Sequence, residues 1–185
     1  MKRNETIGIV GQGFVGSAVR EGLQKHFKVE TYDKFISTAS TCESLEKLSL
    51  KANIIFVCLP TPMKKDGSCS IKIVEETIKN LNEYDNGNIA VIKSTIPPGT
   101  TEKLNKKNKN VSVVFNPEFL TEANAVDDYK NQNRIILGGP RPHTAVVANI
   151  FKKVFPGARI VKTGSGTAEM VKYFLNLFLA TKVGF

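Results

Sequence analysis

Cysteine is scarce and unpaired in this chain. Cys42, Cys58 and Cys69 are three in 185 residues, an odd number without metal-ligand spacing, which excludes a disulfide framework and fits a reducing cytosol, the compartment expected here. Cys58 lies in an apolar stretch and is expected to be inert, while Cys42 and Cys69 fall in loops with no neighbouring base to activate them. Nothing approaches the length and apolarity of a membrane helix, so no membrane partner is expected. The basic opening MKRNE precedes an apolar run, but glycines and Gln12 interrupt that run and it passes into Arg20 and Glu21, against a secretory leader. Repeats, low-complexity tracts and a disorder composition are also missing, and the length suits one well-buried domain and little more. Acidic residues are the scarcer charge, 17 against 26 basic, for a net +9 that suits an anionic partner. The densest basic stretch, Lys103, Lys106, Lys107 and Lys109, lacks the interleaved aromatics of a single-strand platform. It reads as a solvated helix end, and no nucleic-acid partner is expected.

What is present is organised around TIGIVGQGFVG, Thr6 to Gly16. A short buried strand, with Ile7, Ile9 and Val10, runs into Gly11, Gly13 and Gly16 and then a helix from Ser17 to about Lys25. Gly11 permits the tight turn, Gly13 lets the backbone approach a pyrophosphate, and Gly16 lets the helix pack close on the strand. Phe14 and Val15 ride on the same turn, and the helix N-terminus offers free N–H groups to phosphate. A second strand, Lys28 to Tyr32, ends on Asp33 and Lys34, where an acid accepts ribose hydroxyls. A strand-turn-helix corner without a ligand carries the same glycines, but the second strand ending on Asp33 at this distance favours a cofactor site.

Further along, a helix is expected around Glu43 to Leu50, and Asn53 to Leu59 reads as a central strand covered on both faces. A turn-rich loop, PTPMKKDGSCS, follows, with Ser70 capping a helix that places Ile71, Val74, Ile78 and Leu81 on one face. Ile89 to Ile92 is a strand ending in Lys93-Ser94-Thr95, and Pro97-Pro98-Gly99 forces a turn before a helix near Thr100. Then come a strand at Val111 to Phe115, a loop NPEFLTEANAVDDY, a strand at Arg134 to Leu137, a helix at Thr144 to Val154 and a strand at Ala158 to Val161. This alternation predicts an α/β, doubly wound parallel (Rossmann) sheet with every strand-to-helix loop on one edge. Pro60 to Met63, Lys93 to Gly99 and Asn116 to Asn124 should therefore meet the glycine turn. A small-residue joint at Thr163 to Gly166 divides residues 1–164 from 165–185. Beyond it AEMVKYFLNLFLATKV is apolar nearly all round and is expected to be covered by another domain or a second copy.

Taken together, GIVGQGFVG, VCLPTPMKKDGS, KSTIPPGT, NPEFLTEANAVDD, RIILGG and AEMVKYFLNLFLATK resemble, in order and over nearly the whole chain, the nucleotide-sugar dehydrogenases of the UDP-glucose and GDP-mannose type. KSTIPPGT with PEFLTE is the specific part. The resemblance implies oxidation of a sugar C6 alcohol to a carboxylate with two NAD, by way of an aldehyde and a cysteine-bound thioester. It implies that Gly11, Gly13, Phe14, Val15, Gly16, Asp33, Lys34, Pro60, Thr61, Pro62, Ser94, Thr95 and Glu122 hold the cofactor. Thr95, Glu118, Lys172 and Asn176 would be catalytic, and Glu118, Phe119, Leu120, Lys172 and Asn176 would meet a substrate, a UDP-sugar. No metal is implied.

Each role has a plainer reading. Glu118 can cap a loop, and Glu122 can begin a helix as a favourable anion. Lys172 can snorkel to solvent and Asn176 can bond backbone; their spacing puts them on one helix face, and the resemblance implies that there an ammonium and an amide stabilise a developing alkoxide. Glu169 is placed to pair with Lys172, and Phe119 and Leu120 can be packing. Ala123 stands where the family commonly has glycine, and the segment from Asp33 to Glu43 is shorter than usual. The chain stops at Phe185, inside the helix that joins two domains in the family, so the cysteine-bearing domain is expected to be missing and the chain inactive alone. Pairing through the helix after Gly166 into a homodimer is also expected. The alternatives are a non-catalytic regulatory or assembly module and a fragment of a 6-phosphogluconate-type 3-hydroxyacid dehydrogenase, which shares the glycine turn and the Lys-x-x-x-Asn helix.

Overall fold

Short apolar strands alternate with amphipathic helices along the chain. The computed structural model describes residues 6–184; the opening residues of the leader reading, Met1 to Glu5, and the last residue, Phe185, lie outside them. In order the elements are β1 (Thr6–Val10), α1 (Phe14–Leu23), β2 (Lys28–Tyr32), α2 (Leu45–Lys51), β3 (Ile54–Val57), α3 (Lys72–Tyr84) and β4 (Ile89–Ile92). There follow α4 (Thr100–Lys107), β5 (Ser112–Phe115), α5 (Ala125–Lys130), β6 (Arg134–Gly138), α6 (Arg141–Val154), β7 (Arg159–Thr163) and α7 (Ser165–Gly184). Seven strands form one sheet in the order β2-β1-β3-β4-β5-β6-β7. Period-two alternation sorts its side chains: Ile7, Ile9 and Phe56 pack on one face beneath α1, α5 and α6, and Val10, Ile55 and Val57 on the other against α2, α3 and α4.

The doubly wound sheet stands as expected, with one departure. From β2 to β5 the strands are parallel, but β6 meets β5 antiparallel through Phe115 and Gly138, and β7 then runs parallel to β6. The stretch expected as a loop before β6 holds α5, a helix of 6 residues. Rather than crossing the sheet, α5 lies on α1, where the Tyr129 ring occupies the space that a Cβ on Gly22 would need. The chain re-enters the sheet from the edge it left, so β6 is reversed. The connections into α6 and α7 therefore fall on the opposite edge, not on the shared one.

Smaller differences have local causes. α1 begins at Phe14, one turn before the expected Ser17, and α6 begins at Arg141, before Thr144. Ser70 does not cap α3: its N–H donates to the Pro62 carbonyl, and Met63 pairs with Cys69 to make PTPMKKDGSCS a narrow hairpin. Glu169 does not pair with Lys172. It is fully buried, and its carboxylate accepts from the Gly99 N–H at 2.6 Å, the Thr101 N–H at 2.8 Å and the Thr101 hydroxyl at 2.6 Å, capping α4 from another element. The Lys103 to Lys109 stretch is the solvated end of α4, with Lys106 paired to Glu102 and Lys103 to Glu75.

α7 is buried at Ala168, Glu169 and Lys172 and bare beyond, with Phe174 68%, Leu177 65% and Val183 87% exposed in the chain by itself. No helix among the described residues is long and apolar enough to cross a membrane.

Removing the Glu169 carboxylate strands the N-terminal N–H groups of α4 in the interior. Glu169→Ala is expected to lower stability by about 2–4 kcal/mol, against under about 0.5 for exposed Glu122→Ala, read as a shift in urea midpoint at constant m-value.

Candidate functional site

A cleft of about 680 Å³ opens at the carboxyl ends of β1 to β5, within the range of small-molecule sites. Gly11, in the turn after β1, and Gly16, in the first turn of α1, are fixed by contact. Gly11 has φ +88°, and a Cβ there would overlap the Cys58 carbonyl; a Cβ on Gly16 would overlap the Gly11 carbonyl. Gly16 thus lies beneath the cleft, not on its wall. Gly13 is different, because a Cβ on it would meet no atom within 4 Å. Its open side faces outward just ahead of α1, which has no acidic residue in its first turn. Backbone N–H groups bordering open space at a helix start fit a pyrophosphate.

Asp33, at the end of β2, marks one end of this cleft. Its Oδ2 accepts from the Gln12 N–H at 2.7 Å and its Oδ1 from the N–H groups of Phe35 and Ile36 at 2.8 and 2.9 Å. Burial pushes this carboxyl up, but the N–H of Gln12 and then those of Phe35 and Ile36 outweigh it, and the pKa is lowered. An anion fixed there, with oxygen lone pairs left over, suits ribose hydroxyls. Lys34, Phe14, Val15, Pro60 and Thr61 line the same space, and Gln12 keeps a buried Oε1 without a partner. With the Gly13 opening, this arrangement fits NAD.

Ser94, Thr95, Lys93 and Glu118 line the other end. Ser94 is a strut: its Oγ accepts from the Leu59 N–H at 3.0 Å, tying the end of β4 to that of β3. Thr95 is half-buried, and its carbonyl accepts from the Cys69 thiol at 3.6 Å. Lys172 reaches in from α7, its ammonium donating to the Glu118 carbonyl at 2.7 Å and to Glu118 Oε1 at 2.9 Å. Both side chains are nearly closed to solvent, 9% and 11% exposed, and the Phe119 ring lies 5.8 Å from the same ammonium.

Not every expected residue joins this group. Pro62 and Glu122 are exposed and outside the cleft lining, and Glu122 begins no helix, since α5 starts at Ala125. Leu120 packs against the core. Asn176 is exposed, one turn past Lys172. In the other direction, Ile73, Glu76, Thr77 and Asn80 of α3 form a wall that sequence reasoning passed over. Their three-to-four spacing, beside the buried Val74, Ile78 and Leu81, was the available signal.

Lys93 received no role from sequence, yet it is 2% exposed, with Nζ donating to Asn116 Oδ1 at 2.8 Å. Burial is the main cause lowering its pKa from 10.5 to about 8. Its signal was position: a lysine ending a central strand whose other residues are apolar. Cys58, also at the cleft wall, is buried, its thiol pushed up to about 12 by burial. Cys42 is also buried, and burial raises its thiol, which donates to Glu30 at 3.7 Å.

A family model described as the UDP-glucose/GDP-mannose dehydrogenase family, NAD binding domain, matches residues 18–156. An uncharacterised protein of Methanocaldococcus jannaschii is 38% identical over 175 residues, covering 89% of this chain and 19% of its own length. The UDP-glucose 6-dehydrogenase TuaD of Bacillus subtilis is 36% identical over 142 residues, 72% of this chain and 31% of its own. The solved structure of a UDP-glucose dehydrogenase from the hyperthermophilic archaeon Pyrobaculum islandicum superposes with a TM-score of 0.87 at 26% identity, over 97% of this chain and 51% of that one. The chain thus spans a fifth to a third of these curated relatives and half of the solved structure.

The two buried cations make separate predictions. A double-mutant cycle on Lys172→Met and Glu118→Gln is expected to give a coupling of about 1–3 kcal/mol in urea unfolding. At Lys93 the unfolded chain holds the proton more tightly than the folded one, so this group adds stability as pH rises from about 8 towards 10.5. Lys93→Met should remove up to about 3 kcal/mol of that rise, measured by unfolding at pH 7 and pH 10.

Proposed function

Because the chain belongs to the UDP-glucose/GDP-mannose dehydrogenase family, as its NAD-binding domain, we propose that it is the cofactor half of a nucleotide-sugar 6-dehydrogenase acting on a UDP-sugar. The proposed reaction turns a sugar C6 alcohol and water into a carboxylate, with hydride passing to two NAD in turn. The observation that carries this reading is the Lys172 ammonium held by the Glu118 carbonyl and carboxylate at the mouth of the cleft. A fixed cation beside a carboxylate at the nicotinamide end is what alcohol oxidation asks of its surroundings. Lys172 stabilises the alkoxide as it forms, and Glu118 orients the lysine and takes a proton from water.

When bound, NAD supplies the hydride acceptor; the residues here hold it. Asp33 accepts the ribose hydroxyls, the backbone from Gly11 to Gly16 takes the pyrophosphate, and Pro60, Thr61, Ser94 and Thr95 border the nicotinamide end. Asn176 would meet substrate from the exposed turn of α7. The bare apolar side of that helix supports a homodimer with α7 at its contact.

Thioester chemistry needs a reactive thiol, and the cysteines here do not offer one. Cys58 and Cys42 are buried, and the Cys69 thiol donates to the carbonyls of Thr61 and Thr95. Supplied with NAD and UDP-glucose, this chain alone is expected to form no sugar acid; acid detected by mass spectrometry would refute that requirement. Calorimetry should show NAD binding at least about tenfold tighter than NADP, because the Asp33 carboxylate repels a 2′-phosphate, with Asp33→Ser narrowing the gap. Tighter binding of NADP would count against Asp33 as the selector.

A further inference from the structure

Among the described residues, Lys93 is the one buried cation lining the cleft without a carboxylate bonded to it. Its ammonium has a single hydrogen-bond acceptor among the described residues, the Asn116 side-chain oxygen. That amide cannot turn away, because its Nδ2 donates to the Ile136 carbonyl at 2.8 Å. The groups facing Lys93 come from every element around it. Cys58 follows β3, and its thiol is neutral at physiological pH. Tyr129 of α5 presents its ring face 5.8 Å from Nζ, and its phenol is held neutral by burial. Glu118 follows β5, and its charge favours the ammonium, but that carboxylate is bonded to Lys172, whose charge opposes it.

Asp33 and Glu76 also line the cleft but are not among the charges that act on Lys93, and the set that does leaves this end of the cleft poorly able to accept another positive charge. Glu118 carries the one negative charge in the group and Lys172 already balances it, so a protonated Lys93 is a surplus cation. The two forms of the cofactor differ in this respect: the oxidised nicotinamide ring is a cation and the reduced ring is neutral. We propose that Lys93 is the proton-exchanging residue that offsets cofactor charge, releasing its proton to solvent when the cleft receives oxidised NAD and retaining it with the reduced form. Only the N–H bond breaks, the electron pair stays on Nζ, and no other reactant is required. The role is one of charge positioning, since Lys93 is not placed in contact with a sugar.

The buried amine is poised for this exchange. Its proton is already held more weakly than in water, and an added cation in a site of low effective dielectric weakens it further, on the order of tenfold. At pH 7.5 this corresponds to about half a proton released per NAD bound. The affinity for oxidised NAD should then rise several-fold between pH 6.5 and 8.5, while that for the reduced form stays flat.

The inference rests on the NAD reading, and one experiment separates the two. The full chain is titrated calorimetrically with oxidised and with reduced NAD at pH 7.5, in buffers of different ionisation enthalpy. A buffer-dependent heat is expected for the oxidised form and not for the reduced. Lys93→Met should abolish it. Lys93→Arg, which keeps its charge at every accessible pH, should abolish it too and weaken oxidised NAD relative to reduced on the order of tenfold. Equal proton release with both cofactors, or release undiminished in either variant, would overturn the role of Lys93. Absence of saturable binding of both forms would overturn the cofactor reading itself. The wild-type comparison needs no variant, so a substitution that fails to fold leaves the test intact.

Discussion

Two backbone contacts with no room for a side chain set the positions of most of the molecule. Gly11 lies against the Cys58 carbonyl and Gly16 against the Gly11 carbonyl, so α1 must start where the sheet edge leaves it and must leave at one angle. Gly22, further along α1, receives the Tyr129 ring, and this docks α5. With α5 held there, the chain after β5 cannot cross over, and β6 enters reversed. The hand of the last two strands thus follows from contacts made near the first.

The same chain of contacts assembles the cleft from distant parts of the sequence. Asp33 takes its orientation from the Gln12 N–H. Ser94 holds the ends of β3 and β4 together, and Asn116 links β4 to β6 by serving Lys93 and the Ile136 carbonyl at once. Ser94 and Asn116 are buried and Asp33 is half-buried, and each takes a donor or acceptor from another strand or the turn that follows one. Such a site is rigid because misplacing one member leaves buried groups unpaired.

Legibility from sequence followed the range of the interaction. Strands and helices came from hydrophobic period and turn residues, which are local, and β1, β2, β4 and the buried turns of α3 lie where the pattern put them. The reversal of β6 was not legible, because it depends on an aromatic ring filling the space over Gly22 rather than on any feature of Arg134 to Gly138. At the site, the glycine turn, Asp33, Ser94, Thr95, Glu118 and Lys172 were visible as motifs. The partners were less so. Glu169 and Lys172 are three apart on one helix and invited pairing, but the unpaired N–H groups of α4 and the Glu118 carboxylate compete for them and prevail. Lys93 shows in the sequence only as the residue after a strand, since the burial that weakens its proton comes from residues far along the chain.

The reversed strand has one mechanical outcome. α7 starts at the far edge of the sheet and climbs to the cleft, pinned at Ala168 and Glu169, with its outer turns free of the domain. Lys172 sits about 4.5 Å along the axis from that pin and Val183 about 21 Å, at 1.5 Å per residue. The helix is a lever with its fulcrum beside the ammonium, so a sway of about 2 Å at the tip moves Lys172 by under about half an ångström. Whatever grips the outer turns can bend or tilt them while the charge at the cleft stays in register with Glu118.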